Sequence, residues 1–127
     1  MRGAVLIAVG LATLLGACGG QVDTSVCNDL TEAEQTAFFK FVESNRTCTT
    51  DSDCSAFVPP PGQGGDCFYT AVASSALPAA DTYWAQLSQA YDLRGCQRQT
   101  GCPPPTGGPF VIHCEAGFCV GHVDVLQ

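Results

Sequence analysis

The sequence predicts a small α+β domain in which two helices pack on an antiparallel sheet of three or four short strands, stapled by up to four disulfides. Three observations lead to this fold class. Two segments show helical periodicity of apolar residues, and several short segments are rich in β-branched and aromatic residues. The chain also carries nine cysteines in 127 residues, a density typical of small secreted domains. A chain of this length accommodates one domain.

The start of the chain has the layout of an export signal. Arg2 precedes a small and apolar run, residues 4–15, which ends in Leu15-Gly16-Ala17-Cys18. A basic start, an apolar stretch of about a dozen residues and small residues at a cleavage site are typical of secretory signals. The run is shorter than the roughly 20 apolar residues that a transmembrane helix needs. We therefore expect export, with cleavage near Cys18.

Leu15-Gly16-Ala17-Cys18 resembles the lipobox of bacterial lipoproteins. The resemblance implies that Cys18 becomes the acylated first residue of the mature chain, and two or three acyl chains anchor a protein stably. In that family an aspartate after the cysteine often retains the protein at the inner membrane, so Gly19 favours the outer membrane. An ordinary signal peptide that leaves Cys18 as a free thiol is the alternative. The implied organisation is a signal peptide (1–17), a lipidated N-terminus and tether (18–29), and a single cysteine-rich domain (30–127).

Eight cysteines remain when Cys18 is assigned to lipid. An even number in an exported chain indicates a disulfide framework. Zinc sites favour cysteines separated by two residues, and no pair here has that spacing, so we predict disulfides and no metal site. The connectivity is not encoded in the spacing; we favour local closure of Cys114 with Cys119. The eight candidates are Cys27, Cys48, Cys54, Cys67, Cys96, Cys102, Cys114 and Cys119.

The charge balance limits the classes of partner. Acidic residues outnumber basic residues 12 to 5, which gives a formal net charge of −7. Loss of Arg2 with the signal peptide would make the mature chain one unit more negative. Because no basic patch is available for phosphates, we predict no nucleic-acid partner and no electrostatic attraction to anionic headgroups. We also predict no cofactor. The expected membrane partner is engaged through the N-terminal lipid anchor.

Two helices are predicted. Thr31-Glu32-Ala33-Glu34 matches a capping box and is followed by apolar residues on one helical face, which predicts a helix over 32–44. The second helix is predicted over 78–94, where Gly95 supplies a left-handed stop. We expect its apolar stripe to pack in the core rather than to form an exposed binding face. The stripe consists of Ala80, Trp84, Leu87 and Tyr91.

Strands are predicted at 55–58, 67–72, 110–114 and 119–123, the last two as a hairpin around the glycine-containing loop 115–118. In that register Cys114 lies opposite Cys119, while His113 and His122 are diagonal neighbours on one face. Two histidines so placed could bind a metal or sense pH. With no third ligand in view, we interpret them as part of an exposed hairpin face.

Asp51 and Asp53 alternate as carboxylates do at the start of an EF-hand calcium loop. The glycine and the bidentate glutamate of such a loop would fall on Ala56 and Gly62, which have the wrong side chains. We therefore predict a turn held by side-chain hydrogen bonds.

No catalytic constellation is present, and we predict that the chain is not an enzyme. A sulfur nucleophile needs a thiolate, whereas the eight thiols are expected to be bridged. Ser74 and Ser75 lack the glycines of a nucleophile elbow. Two hypotheses remain. The chain is an envelope-anchored interaction or structural module with an unknown protein partner, or a protease-inhibitor-like domain that presents the rigid 57–65 loop to a protease cleft.

Two proline-rich loops, 59–65 and 103–109, are candidates for a functional surface. The order Cys-x2-Asp-x-Asp-Cys at 48–54 and Val-x2-Cys-x2-Gly-x-Cys-Val at 111–120 resembles uncharacterised cysteine-rich lipoproteins of myxobacteria. The resemblance covers about residues 46–121. It implies an exported domain and no particular activity.

Overall fold

The structure, a computed structural model, describes residues 23–125, which form two α-helices and two antiparallel sheets. Short 3-10 turns at Asp51–Asp53 and Ser74–Ala76 precede the first strand and the second helix. The predicted α+β class is confirmed. The helices are α1 (Thr24–Glu43) and α2 (Leu77–Leu93), and the strands are β1 (Cys54–Phe57), β2 (Thr70–Ala73), β3 (Phe110–Glu115) and β4 (Phe118–Val123).

α1 begins eight residues before its predicted start. Asp23 is the N-cap, and its carboxylate accepts a hydrogen bond from the Ser25 amide at 2.9 Å, which satisfies one of the free donors of the first turn. The predicted capping box is wrong, because the Thr31 hydroxyl donates to the Cys27 carbonyl one turn back and Glu34 is buried. Residues 24–29, predicted as tether, are therefore helical.

α2 matches its prediction closely. Gly95 adopts φ +68°, its amide donates to the Asp92 carbonyl at 2.9 Å, and the Cys96 amide donates to the Tyr91 carbonyl at 3.3 Å. These two bonds form a Schellman motif, for which a glycine in the left-handed region is the usual requirement. The predicted stop at Gly95 is confirmed.

The four strands form two separate pairs, β1–β2 and β3–β4, and not the single sheet predicted. The outer edge of β4 is covered instead by the segment after α1, because Thr47 forms an isolated bridge with Phe118 and the Cys119 amide donates to the Arg46 carbonyl at 2.7 Å. One disulfide, and no backbone ladder, connects the two sheets, since Cys54 of β1 bonds Cys119 of β4.

The core lies between the two helices and the β1–β2 sheet. Phe38 is fully buried at its centre, with its ring centroid 4.4 Å from that of Phe57 and 5.3 Å from that of Trp84. Such tilted and edge-to-face pairs stabilise a core beyond the area they bury. The predicted packing of the α2 stripe is confirmed, since Ala80, Trp84 and Tyr91 are buried. The buried core residues are Phe38, Val42, Phe57, Val72, Ala80 and Trp84.

The β3–β4 hairpin turns through two residues, Ala116 and Gly117, and not through the four-residue loop predicted. Their φ angles of +50° and +84° are those of a type I′ turn, whose twist matches that of the strands. Alanine is disfavoured by about 1–2 kcal/mol in this left-handed region. The turn is therefore formed at a local energetic cost.

We expect Ala116→Asn to raise the free energy of unfolding by about 0.5–1 kcal/mol, because Asn-Gly is the preferred type I′ sequence. Ala116→Val is the matched control and should lower it, since a β-branched residue is strongly disfavoured at positive φ. The urea midpoints of the three chains measure both effects. An Ala116→Asn midpoint at or below that of the unmodified chain would contradict the prediction.

Candidate functional site

All eight candidate cysteines are paired, which confirms the predicted framework of four disulfides. Each bridge joins distant parts of the chain, so the predicted local bridge between Cys114 and Cys119 is wrong. Those two residues do face each other across the hairpin, but the segment 46–54 crosses the same face and supplies a partner to each sulfur. The bridges are Cys27–Cys96, Cys48–Cys114, Cys54–Cys119 and Cys67–Cys102.

Two of the bridges are adjacent. The sulfurs of Cys48, Cys54 and Cys119 lie within 4.8 Å of one another, a spacing that would suit a thiolate metal site if the sulfurs were reduced. Here each sulfur is bonded to another sulfur and has no thiolate to offer. The cluster therefore fastens the 48–54 segment to the hairpin.

The carboxylates of the 48–54 segment are used for structure. Asp53 accepts hydrogen bonds from the Thr49 and Thr50 amides at 2.8 and 2.9 Å, and the bond from Thr50, followed by that from Thr49, lowers the pKa of Asp53. Asp51 accepts from the Cys114 amide at 2.7 Å. The predicted turn is confirmed, and these hydrogen bonds account for both carboxylates.

The 57–65 loop packs against the segment between Cys96 and Cys102. Phe57 and Pro59 are fully buried, and a Cβ added at Gly64 would lie 2.6 Å from the Trp84 ring. Backbone hydrogen bonds connect Gly62 and Gly64 to Gln99 at 2.9 Å each. An inhibitory loop must enter a protease cleft with its backbone free to pair, so this docked geometry does not favour that hypothesis. The 103–109 loop is mostly exposed.

Glu34 is a buried carboxyl that sequence reasoning missed. Its side chain is 4% exposed between α1 and α2, and neither carboxylate oxygen has a hydrogen-bond partner among the described residues. Burial, reinforced by the negative charge of Asp92, raises the pKa of Glu34 to about 7. Its position in the sequence could have indicated this burial, because Glu34, Phe38 and Val42 recur every four residues along the buried stripe of α1.

The two histidines lie together on the outer face of the hairpin, as predicted. The ring centroids of His113 and His122 are 5.3 Å apart in an edge-to-face arrangement. His113 Nε2 also lies 3.2 Å from a carboxylate oxygen of Glu115. Glu115 was assigned to a loop in the prediction, and its place in β3 puts it on the same face, two residues from His113.

Cys18 lies outside the described residues, so its predicted lipidation stays a prediction. Within residues 23–125, neither helix has the length and apolarity needed to cross a bilayer. No protein-family model, curated protein or solved structure matches this chain.

Proposed function

We propose that this chain is an exported lipoprotein, anchored through Cys18, whose cysteine-rich domain is a rigid interaction or structural module of the bacterial cell envelope. The pairing of the cysteines carries the proposal. All eight cysteines within residues 23–125 form disulfides, and Cys18 is the remaining cysteine of the nine. Disulfides persist in oxidising, extracytoplasmic compartments, and an odd cysteine at a lipobox has a chemical role as the acylated residue.

The early start of α1 supports a domain held at the membrane surface. Residues 19–22 alone separate Cys18 from the Asp23 cap, and five peptide steps span at most about 18 Å. The Cys27–Cys96 bridge places the end of α2 beside the start of α1, and there Leu93 is 86% exposed and is followed by the exposed Arg94. An apolar side chain beside a cation suits a lipid interface.

We assign the domain no reaction. The described residues offer no free thiol as a nucleophile, since all eight of their cysteines are bridged. The outer membrane remains the proposed location, because Gly19 follows the lipobox cysteine. What the module binds is proposed to be another protein of the envelope.

Cys18→Ala in the full chain is expected to move the protein from the membrane fraction to the soluble fraction, because the thiol that carries lipid is lost. Intact mass, before and after reduction, should show acyl chains on the unmodified chain and a gain of two hydrogens for each of four bridges. Gly20→Ala is the neighbouring control and should leave both results unchanged. A Cys18→Ala chain that stays in membranes, or an unmodified chain whose mass shows no acyl chains, would contradict the proposal.

The same pair of proteins tests the orientation of the domain. On vesicles, residues 91–95 should exchange amide hydrogens more slowly in the lipidated chain than in Cys18→Ala. Equal exchange at these residues would contradict a membrane-facing end while leaving the lipid anchor intact.

A further inference from the structure

The exposed face of the β3–β4 hairpin carries three metal-ligating side chains that the proposed envelope module does not use. His113 and His122 are diagonal neighbours in the register, because His113 pairs with Val120 and His122 pairs with Val111. Glu115 follows His113 on the same face, since alternate residues of a strand share a face. The side chain of Glu115 is 67% exposed and that of His113 is 33% exposed.

The separation of the two imidazoles suits a shared ion. Two imidazole nitrogens bound at about 2.0–2.1 Å to one tetrahedral ion place their ring centroids about 5 Å apart. The observed separation of the His113 and His122 centroids is 5.3 Å. Glu115 contacts the Nε2 atom of His113 at 3.2 Å, so a carboxylate oxygen is already beside one of the two rings.

The two imidazoles must rotate before both can bind one ion. Among the described residues, the group of three ligand atoms that lies mutually within 4.8 Å is the cysteine cluster, so the histidine face is not yet converged. Exposed side chains change rotamer within nanoseconds, and His122 and Glu115 are exposed. Rotation of the His122 side chain can therefore turn its ring nitrogen toward His113, whereas Glu115 lies four strand positions from His122 across the ladder and contacts His113 alone.

The backbone under this face is held rigidly. Cys114, between His113 and Glu115 in sequence, is bonded to Cys48, and Cys119, on the opposite strand, is bonded to Cys54. Both bridges lie on the inner face of the hairpin, directly behind the histidines. Preorganised ligand positions lower the conformational cost of binding.

We propose that this face binds one divalent transition-metal ion, Zn²⁺ or Cu²⁺, through the imidazoles of His113 and His122, while the carboxylate of Glu115 accepts a hydrogen bond from the other ring nitrogen of His113. Imidazole nitrogen suits both ions, and Cu²⁺ binds a given nitrogen and oxygen site more tightly than Zn²⁺. The remaining coordination positions face solvent, because the site lies on an exposed surface. The site is independent of the lipid anchor.

Calorimetric titration of the oxidised domain, residues 19–127 with no histidine tag, tests the site with ZnCl₂ and with CuCl₂. A thiol assay on the same sample excludes binding by reduced cysteines. We expect one ion per chain, with Cu²⁺ bound more tightly. His113→Gln and His122→Gln should each weaken binding at least about tenfold, and Glu115→Gln should weaken it less than either. Asp66→Asn, an exposed carboxylate elsewhere, is the control and should bind as the unmodified chain does.

Histidine side-chain NMR supplies a second readout that does not depend on affinity. Both rings should shift on addition of one equivalent of Zn²⁺, and the backbone spectra of the variants show that they are folded. Absence of binding by the unmodified domain would overturn the proposal. Undiminished affinity of the folded His122→Gln variant would also overturn it.

Discussion

Replacing Cys54 and Cys119 together with serine is expected to lower the free energy of unfolding by about 4 kcal/mol. The bridge connects residues 65 positions apart, so its loss frees a long loop in the unfolded chain. It is also the bond that joins β1 to β4, which share no backbone ladder. Cys119 is 1% exposed, and a serine there must bury a hydroxyl in place of sulfur.

Both cysteines must be replaced at once. The sulfurs of Cys48, Cys54 and Cys119 are mutually within 4.8 Å, so a single serine would leave a thiol poised to attack the Cys48–Cys114 bridge. The double variant removes that route. The free energy of unfolding of the double variant then measures the contribution of the Cys54–Cys119 bridge and not the effect of a rearranged pairing.

Denaturant unfolding of the oxidised proteins measures the effect, with Cys67→Ser/Cys102→Ser as the matched control. That bridge spans 35 positions and includes the exposed Cys67, so we expect a loss smaller by about 0.5 kcal/mol from the shorter loop and smaller again because less hydroxyl is buried. Loss of the Cys54–Cys119 bridge should therefore lower the free energy of unfolding more than loss of the Cys67–Cys102 bridge does. A Cys54→Ser/Cys119→Ser midpoint equal to that of the unmodified chain would contradict this view of how the sheets are held.

Local sequence signals predicted the elements that local physics determines. α2 ends where Gly95 permits a Schellman motif, and the pairing of Cys114 opposite Cys119 follows from the short glycine-containing connection between β3 and β4. The even number of cysteines after Cys18 predicted four bridges. For the end of α2 and for the hairpin, the deciding interactions lie within a few residues along the chain.

Features that depend on distant segments could not be predicted in this way. Cys114 and Cys119 are neighbours across a turn, yet their partners are brought by a segment more than 60 residues away. The number of sheets was missed for the same reason, because the edge of β4 is occupied by Thr47. Glu115 was assigned to a loop in the prediction, because it joins the histidine face only when the turn is shortened to Ala116 and Gly117.

The start of α1 was misplaced because two capping signals compete in the sequence. Thr31 with Glu34 has the full capping-box pattern, whereas Asp23 offers one side chain to one amide. The Cys27–Cys96 bridge favours the earlier start at Asp23, since it holds residues 24–30 against the end of α2. Glu34 is consequently buried in mid-helix, where the negative charge of its carboxylate lowers the stability of the folded state.

This effect makes the stability of the domain depend on pH between about 4.5 and 7. The folded chain keeps Glu34 protonated up to its pKa of about 7, whereas the unfolded chain releases this proton near the ordinary value of 4.5. Across this interval the folded state binds more protons than the unfolded state, so stability falls as pH rises. The full decrease is about 2–3 kcal/mol. The pKa of Asp53 is lowered from 3.8, so its titration affects stability below this interval, where stability rises with pH.

Glu34→Gln removes the titrating proton while keeping the size of the side chain. We expect the variant to match the unmodified chain near pH 4.5 and to be more stable by about 2–3 kcal/mol at pH 8, as measured by urea unfolding across that range. Glu43→Gln, an exposed carboxyl on the same helix, should keep the pH dependence of the unmodified chain. If Glu34→Gln also kept that dependence, the buried carboxyl would not be its origin.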